Sequence, residues 1–150
     1  MPLDDGAIRS LYAGLIAGWN GGDAGAMTRD FAADATMIGF DGSEIHGRDT
    51  ARTYLAGIFA DHQVASFVTL VREVRELAPG VALLRAEAGM VPPGQSAINP
   101  KTNAVQTLVA VERGGHWEVE LFQNTPAAWH GREADAERLT AELQAKLEAS

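Results

Sequence analysis

The hydrophobic pattern of this chain changes period once, and that change narrows the folds open to it. As far as residue 62 the apolar residues recur at three- and four-residue intervals. Ile8, Leu11, Tyr12, Leu15, Ile16 and Trp19 form one helical face, on a helix beginning near Asp4 or Asp5. Ala51, Tyr54, Leu55, Ile58 and Phe59 form another. From Ser66 onward the spacing alternates in four runs: Ser66 to Leu77, Val81 to Val91, Thr102 to Glu112 and His116 to Thr125. Pro79-Gly80 and Gly114-Gly115 read as tight turns, which predicts consecutive antiparallel hairpins. The expected architecture is α+β: a few helices wrapped around a strongly curved antiparallel sheet, leaving an internal pocket for a mostly apolar small molecule.

Shorter elements fill in the order. Asn20-Gly21-Gly22 stops the first helix, and Asp23 is a candidate N-cap for a short second one through Asp30, with Met27 and Phe31 stacked four apart. Ala35 to Phe40 reads as a strand, Asp41-Gly42 as a turn and Ser43 to His46 as the returning strand. Gly47-Arg48-Asp49 opens the third helix, and His62 continues its stripe three residues beyond Phe59. The irregular Pro92 to Pro100 segment is expected to lie over one end of the sheet. After Arg132, Leu139, Leu143 and Leu147 trace a narrow seam on a charged helix, with Glu142 and Lys146 spaced as an i,i+4 pair. Residues 1–132 are therefore expected to form the pocket domain and residues 133–150 a peripheral helix.

Charge and composition exclude several classes. At 150 residues, with 46% apolar, the chain suits one core. A net charge of −8 without a basic cluster repels phosphate backbones and anionic lipids, so nucleic-acid and membrane partners are not expected. Cysteine is absent, which removes thiolate chemistry. The acidic Met-Pro-Leu-Asp-Asp opening lacks the basic and apolar regions of a signal peptide, so a cytoplasmic location is expected.

Trp19-Asn20-Gly21-Gly22-Asp23, followed by Phe31-Ala32-Ala33-Asp34-Ala35, resembles the opening of SnoaL-like proteins in the nuclear transport factor 2-like superfamily. The stretches Ile38 to Glu44, Met90 to Pro100 and Leu121 to Arg132 resemble its SgcJ/EcaC branch. The resemblance spans roughly residues 7–132 and implies a cone-shaped, cystatin-like fold with helices on the concave face of the bent sheet. It also implies a link to polyketide clusters, including enediyne ones. Four long strands covered by helices on one face leave the other needing a partner, so a homodimer is expected, with Phe122 and Val105 as contacts, the way relatives with this cone commonly pair. The family's oxidoreductase label finds no glycine-rich dinucleotide fingerprint here, so no cofactor is expected. Ketosteroid isomerases share the cone, but their hairpin carboxylate falls at Gly39 and their helix-one tyrosine at Leu15. Epoxide hydrolases of this fold use strand aspartates, which the four long strands lack.

The candidate chemical residues follow from position. His62 ends an apolar stripe, and imidazole is the side chain whose unperturbed pKa lies near neutrality, which suits either a general acid/base or a capping role. Arg85 and Glu87 alternate with Leu84, Ala86 and Ala88 and share one face. On the concave side they would pair against the pocket; on the convex side they would be solvated or meet a partner subunit. Alternation with Trp117, Val119, Leu121 and Thr125 turns Gln123 inward, while Gln106 and Asn124 are further amide candidates whose faces a bulge would reverse. Trp19, Phe40, Tyr54 and Phe59 converge from different elements as pocket walls. The four histidines are scattered without ligand-like spacing, and no metal site is expected. The reading is a pocket protein of polyketide or enediyne-type metabolism, acting by cyclisation or isomerisation of an apolar intermediate. Its alternative is a non-catalytic module that shields a reactive one.

Overall fold

The computed structural model describes residues 5–150, so Asp4, one of the two expected helix starts, lies outside them. Helix α1 (Asp5–Asn20) buries Ile8, Leu11, Tyr12, Leu15 and Ile16, the face its periodicity predicts. Helix α2 (Ala24–Thr28) is shorter than expected. Strand β1 (Phe31–Ile38) starts earlier, because Asp30 O already accepts a hydrogen bond from Val119 N at 2.7 Å. That pairing draws Phe31 out of the expected helical stack and into the core. Phe40 leaves the strand because the turn closes through Gly39 N to Ser43 O at 2.9 Å. Strand β2 (Glu44–His46) returns, and α3 (Arg48–Asp61) follows.

Four longer strands complete the sheet: β3 (Ser66–Ala78), β4 (Val81–Val91), β5 (Ala104–Arg113) and β6 (His116–Pro126). The order is β2-β1-β6-β5-β4-β3, curled into a half-barrel. The four long strands pair antiparallel, while β1 joins β6 in parallel. Ala82, Leu84, Ala86 and Ala88 of β4 and Leu108 and Ala110 of β5 form the concave floor, where small side chains let α1 lie close.

A bulge governs β6. Ala110 faces Val119 and Val109 faces Leu121, so Glu120 has no opposite number. Arg113 Nη1 bonds both Glu118 and Glu120, at 3.2 and 3.1 Å, on the outer side. The extra residue reverses the alternation that places Gln123 inward. Phe122 and Asn124 take the concave face instead, and Gln123 turns outward, donating to Thr125 Oγ1 at 3.2 Å. Phe122, 3% exposed, is thereby removed from any surface contact, whereas Val105 remains exposed on the outer face.

Helix α4 (Glu133–Ala149) packs on that outer face beside β3 and β4. Leu139 and Leu143 bury against Ile98 from the Pro92–Pro100 segment, and a Cβ on Gly89 would lie 2.9 Å from Leu143 Cδ1. Glycine lets the helix and loop approach the strand. The expected Glu142–Lys146 pair is replaced by two ties to β3: Arg72 Nη2 to Glu142 at 3.0 Å, and Lys146 Nζ to Thr69 O at 2.9 Å. No described helix is long and apolar enough to cross a membrane.

Candidate functional site

The end of α1 is clasped to the start of β3. Trp19 Nε1 donates to Ala65 O at 2.8 Å. Asn20 treats Phe67 as a strand neighbour would, with Nδ2 donating to its O at 3.0 Å and Oδ1 accepting from its N at 2.7 Å. Asp23 accepts from Ala26 N at 3.0 Å and caps α2. Gly18 allows α2 to press against α1, since a Cβ there would sit 2.3 Å from Met27 N. The Trp19–Asp23 run is thus a structural clasp, and it fixes one wall of an internal cavity.

That cavity, about 240 Å³, lies between the end of α1, α3, the β1–β2 hairpin and the concave sheet. Trp19, Phe40 and Tyr54 line it, with Tyr54 44% exposed where the cavity meets solvent. Met27, Met37 and Met90 add flexible, polarisable walls that adjust to an occupant's outline. Asp41 and Ser43 stand at the hairpin turn. Asp41 Oδ1 accepts from Ser43 N at 2.9 Å, and this bond holds the carboxyl below its ordinary pKa. An ionised carboxylate already engaged with backbone is a poor proton donor and a weak base.

One polar side chain from the sheet reaches the cavity, and it belongs to a chain of partners. Tyr12 Oη donates to Gln106 Oε1 in a short bond, and Gln106 Nε2 donates to Asn124 Oδ1 at 3.1 Å. Gln106 is fully buried and Asn124 is 7% exposed, lining the cavity. Burial pushes the Tyr12 phenol well above its usual range, an effect that Thr69 beside it only partly offsets. Tyr12 therefore stays protonated at physiological pH and remains a donor.

The remaining sequence candidates lie elsewhere. Phe59 packs edge-on to Trp19, with ring centroids 5.4 Å apart, on the side away from the cavity, where it borders an open surface depression. His62 borders the same depression. It is the residue after α3, in extended conformation, and its ring does not reach the cavity. Arg85 and Glu87 occupy the outer face, bound to Glu73 at 2.7 Å and Arg72 at 2.5 Å. Neither meets the cavity, so the acid/base pairing considered for them has no substrate to act on. Among the described residues no three His, Asp or Glu side chains converge as a metal site. Sequence reasoning missed Tyr12 as a functional group, reading it as core. The available signal was its phenol on a buried helical face, which requires a partner.

The SnoaL-like domain family matches residues 8–134. No curated protein matches the chain. A domain of unknown function with a cystatin-like fold from Nostoc punctiforme has a TM-score of 0.80 at 23% identity, covering 98% of each chain. An uncharacterized protein with a cystatin-like fold from Caulobacter vibrioides has 0.70 at 25% identity, covering 89% of this chain and 96% of that one. An NTF-2 like protein of unknown function from Shewanella oneidensis has 0.62 at 17% identity, covering 80% and 97%.

Proposed function

Because this chain belongs to the SnoaL-like domain family and has the nuclear transport factor 2-like fold, we propose that it holds a small, largely apolar intermediate of polyketide or related secondary metabolism in the cavity beneath α3. The observation that carries this reading is an aromatic- and methionine-lined interior into which the sheet projects a single amide. The polyketide assignment rests on the resemblance of residues 38–44, 90–100 and 121–132 to the SgcJ/EcaC branch. Binding and shielding is the favoured action. The cavity wall carries no histidine, and its carboxylate is held ionised at the rim, so proton transfer has little support from the side chains present. Cyclisation guided by the shape of the cavity would need no more than the binding it already offers. The protein is further proposed to be a homodimer joined through the outer sheet face.

The test uses Trp19 as reporter. Trp117 and Trp129 are changed to Phe, and the folded variant is titrated with polyenes and polycyclic aromatics. Saturable quenching or shift of Trp19 emission is expected, together with a rise in melting temperature equivalent to about 2.7 kcal/mol at a hundred times Kd. If no compound perturbs Trp19, and native mass spectrometry of protein from its own cells finds no bound metabolite, the cavity is not a binding site.

A further inference from the structure

The polar chain that ends in the cavity has a direction, and the direction fixes what the cavity can recognise. A phenol has one hydrogen to give, and Tyr12 gives it to Gln106 Oε1. The carbonyl side of Gln106 is thereby occupied, so its amide nitrogen must face Asn124 and take the Oδ1 of that residue. Asn124 is left with Nδ2 for the cavity, and that nitrogen has no protein partner among the described residues. The cavity opens to solvent beside Tyr54, so water can meet this donor; an occupant that displaces the water must accept the hydrogen or leave it unmet in apolar surroundings, which is costly. From this juxtaposition we propose that the ligand presents a carbonyl-type oxygen to Asn124 Nδ2: the cavity selects a small, flat ketone, enone or quinone over a hydrocarbon of the same shape. Tyr12 is the positioning residue that sets the polarity of the relay, and Asn124 is the group that touches the ligand.

Size narrows the class. The volume of about 240 Å³ falls just below the roughly 300–1,000 Å³ usual for drug-sized ligands, so a two-ring aromatic ketone is the appropriate scale. Aromatic walls at Trp19 and Phe40 suit a planar body, and a single donor suits a single oxygen. This inference rests on the cavity being a binding site, and the experiment separates the two claims. Equilibrium dialysis against acetylnaphthalene and the shape-matched isopropenylnaphthalene is expected to show the ketone bound roughly tenfold more tightly. The carbonyl stretch of the bound ketone should move to lower frequency, a reading that needs no variant. In Asn124→Leu the preference for ketone over hydrocarbon should collapse to near unity. Tyr12→Phe frees Gln106 to turn over, and should reduce the preference severalfold with hydrocarbon affinity unchanged. Equal binding of the two compounds by the native protein would overturn the carbonyl preference and leave the cavity standing. Preference for methylindole, a donor without a matching acceptor, would mean that the relay runs the other way and would also overturn it. Binding of neither naphthalene would remove the cavity reading and this inference together.

Discussion

Asp41 shows how one side chain at the rim can be tied up by the fold and so withheld from chemistry. Its carboxylate accepts the Ser43 backbone bond of the β1–β2 turn, and that bond favours the ionised form. The sign of its pH dependence follows. A carboxyl whose folded pKa is depressed contributes stability above its unfolded pKa, about 4, and loses it as pH falls through the lower folded value. Asp41→Ala should therefore melt below the native protein at pH 7, and the gap should close as both are acidified below about pH 4. Thermal melts across that range check it, and a gap that persists unchanged in acid would show that the ionised carboxylate does not hold the turn. Asn124 differs in kind. Its oxygen is used and its nitrogen is not, so among the side chains of the sheet it is the one left with something to offer a ligand.

At the scale of elements, the close contact of α1 with α2 depends on Gly18. Alanine is the better helix former by about 1 kcal/mol, yet its Cβ would meet Met27 N at 2.3 Å and Met27 Cα at 2.5 Å. Backbone cannot swing aside as a side chain can. Gly18→Ala is expected to cost about 1–3 kcal/mol in urea denaturation, while Gly14→Ala, with nothing within 4 Å, should be neutral or stabilising. A harmless Gly18→Ala would mean that α2 is free to withdraw. The helices and long strands were readable from periodicity because each buries one continuous face, as Ile8, Leu11, Tyr12 and Leu15 do on α1. Aromatic convergence likewise indicated Trp19, Phe40 and Tyr54, which line the cavity together. The amides were harder to read. Period-two counting along β6 is valid only up to Glu120, and past that bulge it assigns Gln123 and Asn124 to each other's faces. His62 misled for a related reason: a helical stripe extrapolated one residue past the end of α3 points to a place the extended backbone no longer visits.

The whole molecule covers its two sheet faces unequally. Inside, α1 and α3 close over the floor; outside, α4 takes the β3–β4 side and leaves the row Leu83, Val109 and Leu121 partly exposed. Val105 and Val111 extend this strip along β5. Two copies facing each other through it would bury the strip symmetrically. Sedimentation at micromolar concentration is expected to give twice the chain mass, and Val109→Lys to give a folded monomer. A native mass of one chain, independent of concentration, would reject the dimer. The covering by α4 also has a consequence for biosynthesis. Strand β3 ends at Ala78 and α4 at Ala149, so at about 5–20 residues per second a ribosome makes the strand roughly 4–14 seconds before it finishes the helix. Until α4 is made, Val68 and Leu70, and Val91 once β4 follows, lack the cover that the helix gives them, within reach of chaperones or of neighbouring nascent chains. Refolding from denaturant supplies every element at once, and so passes over the stage at which the growing chain is most exposed.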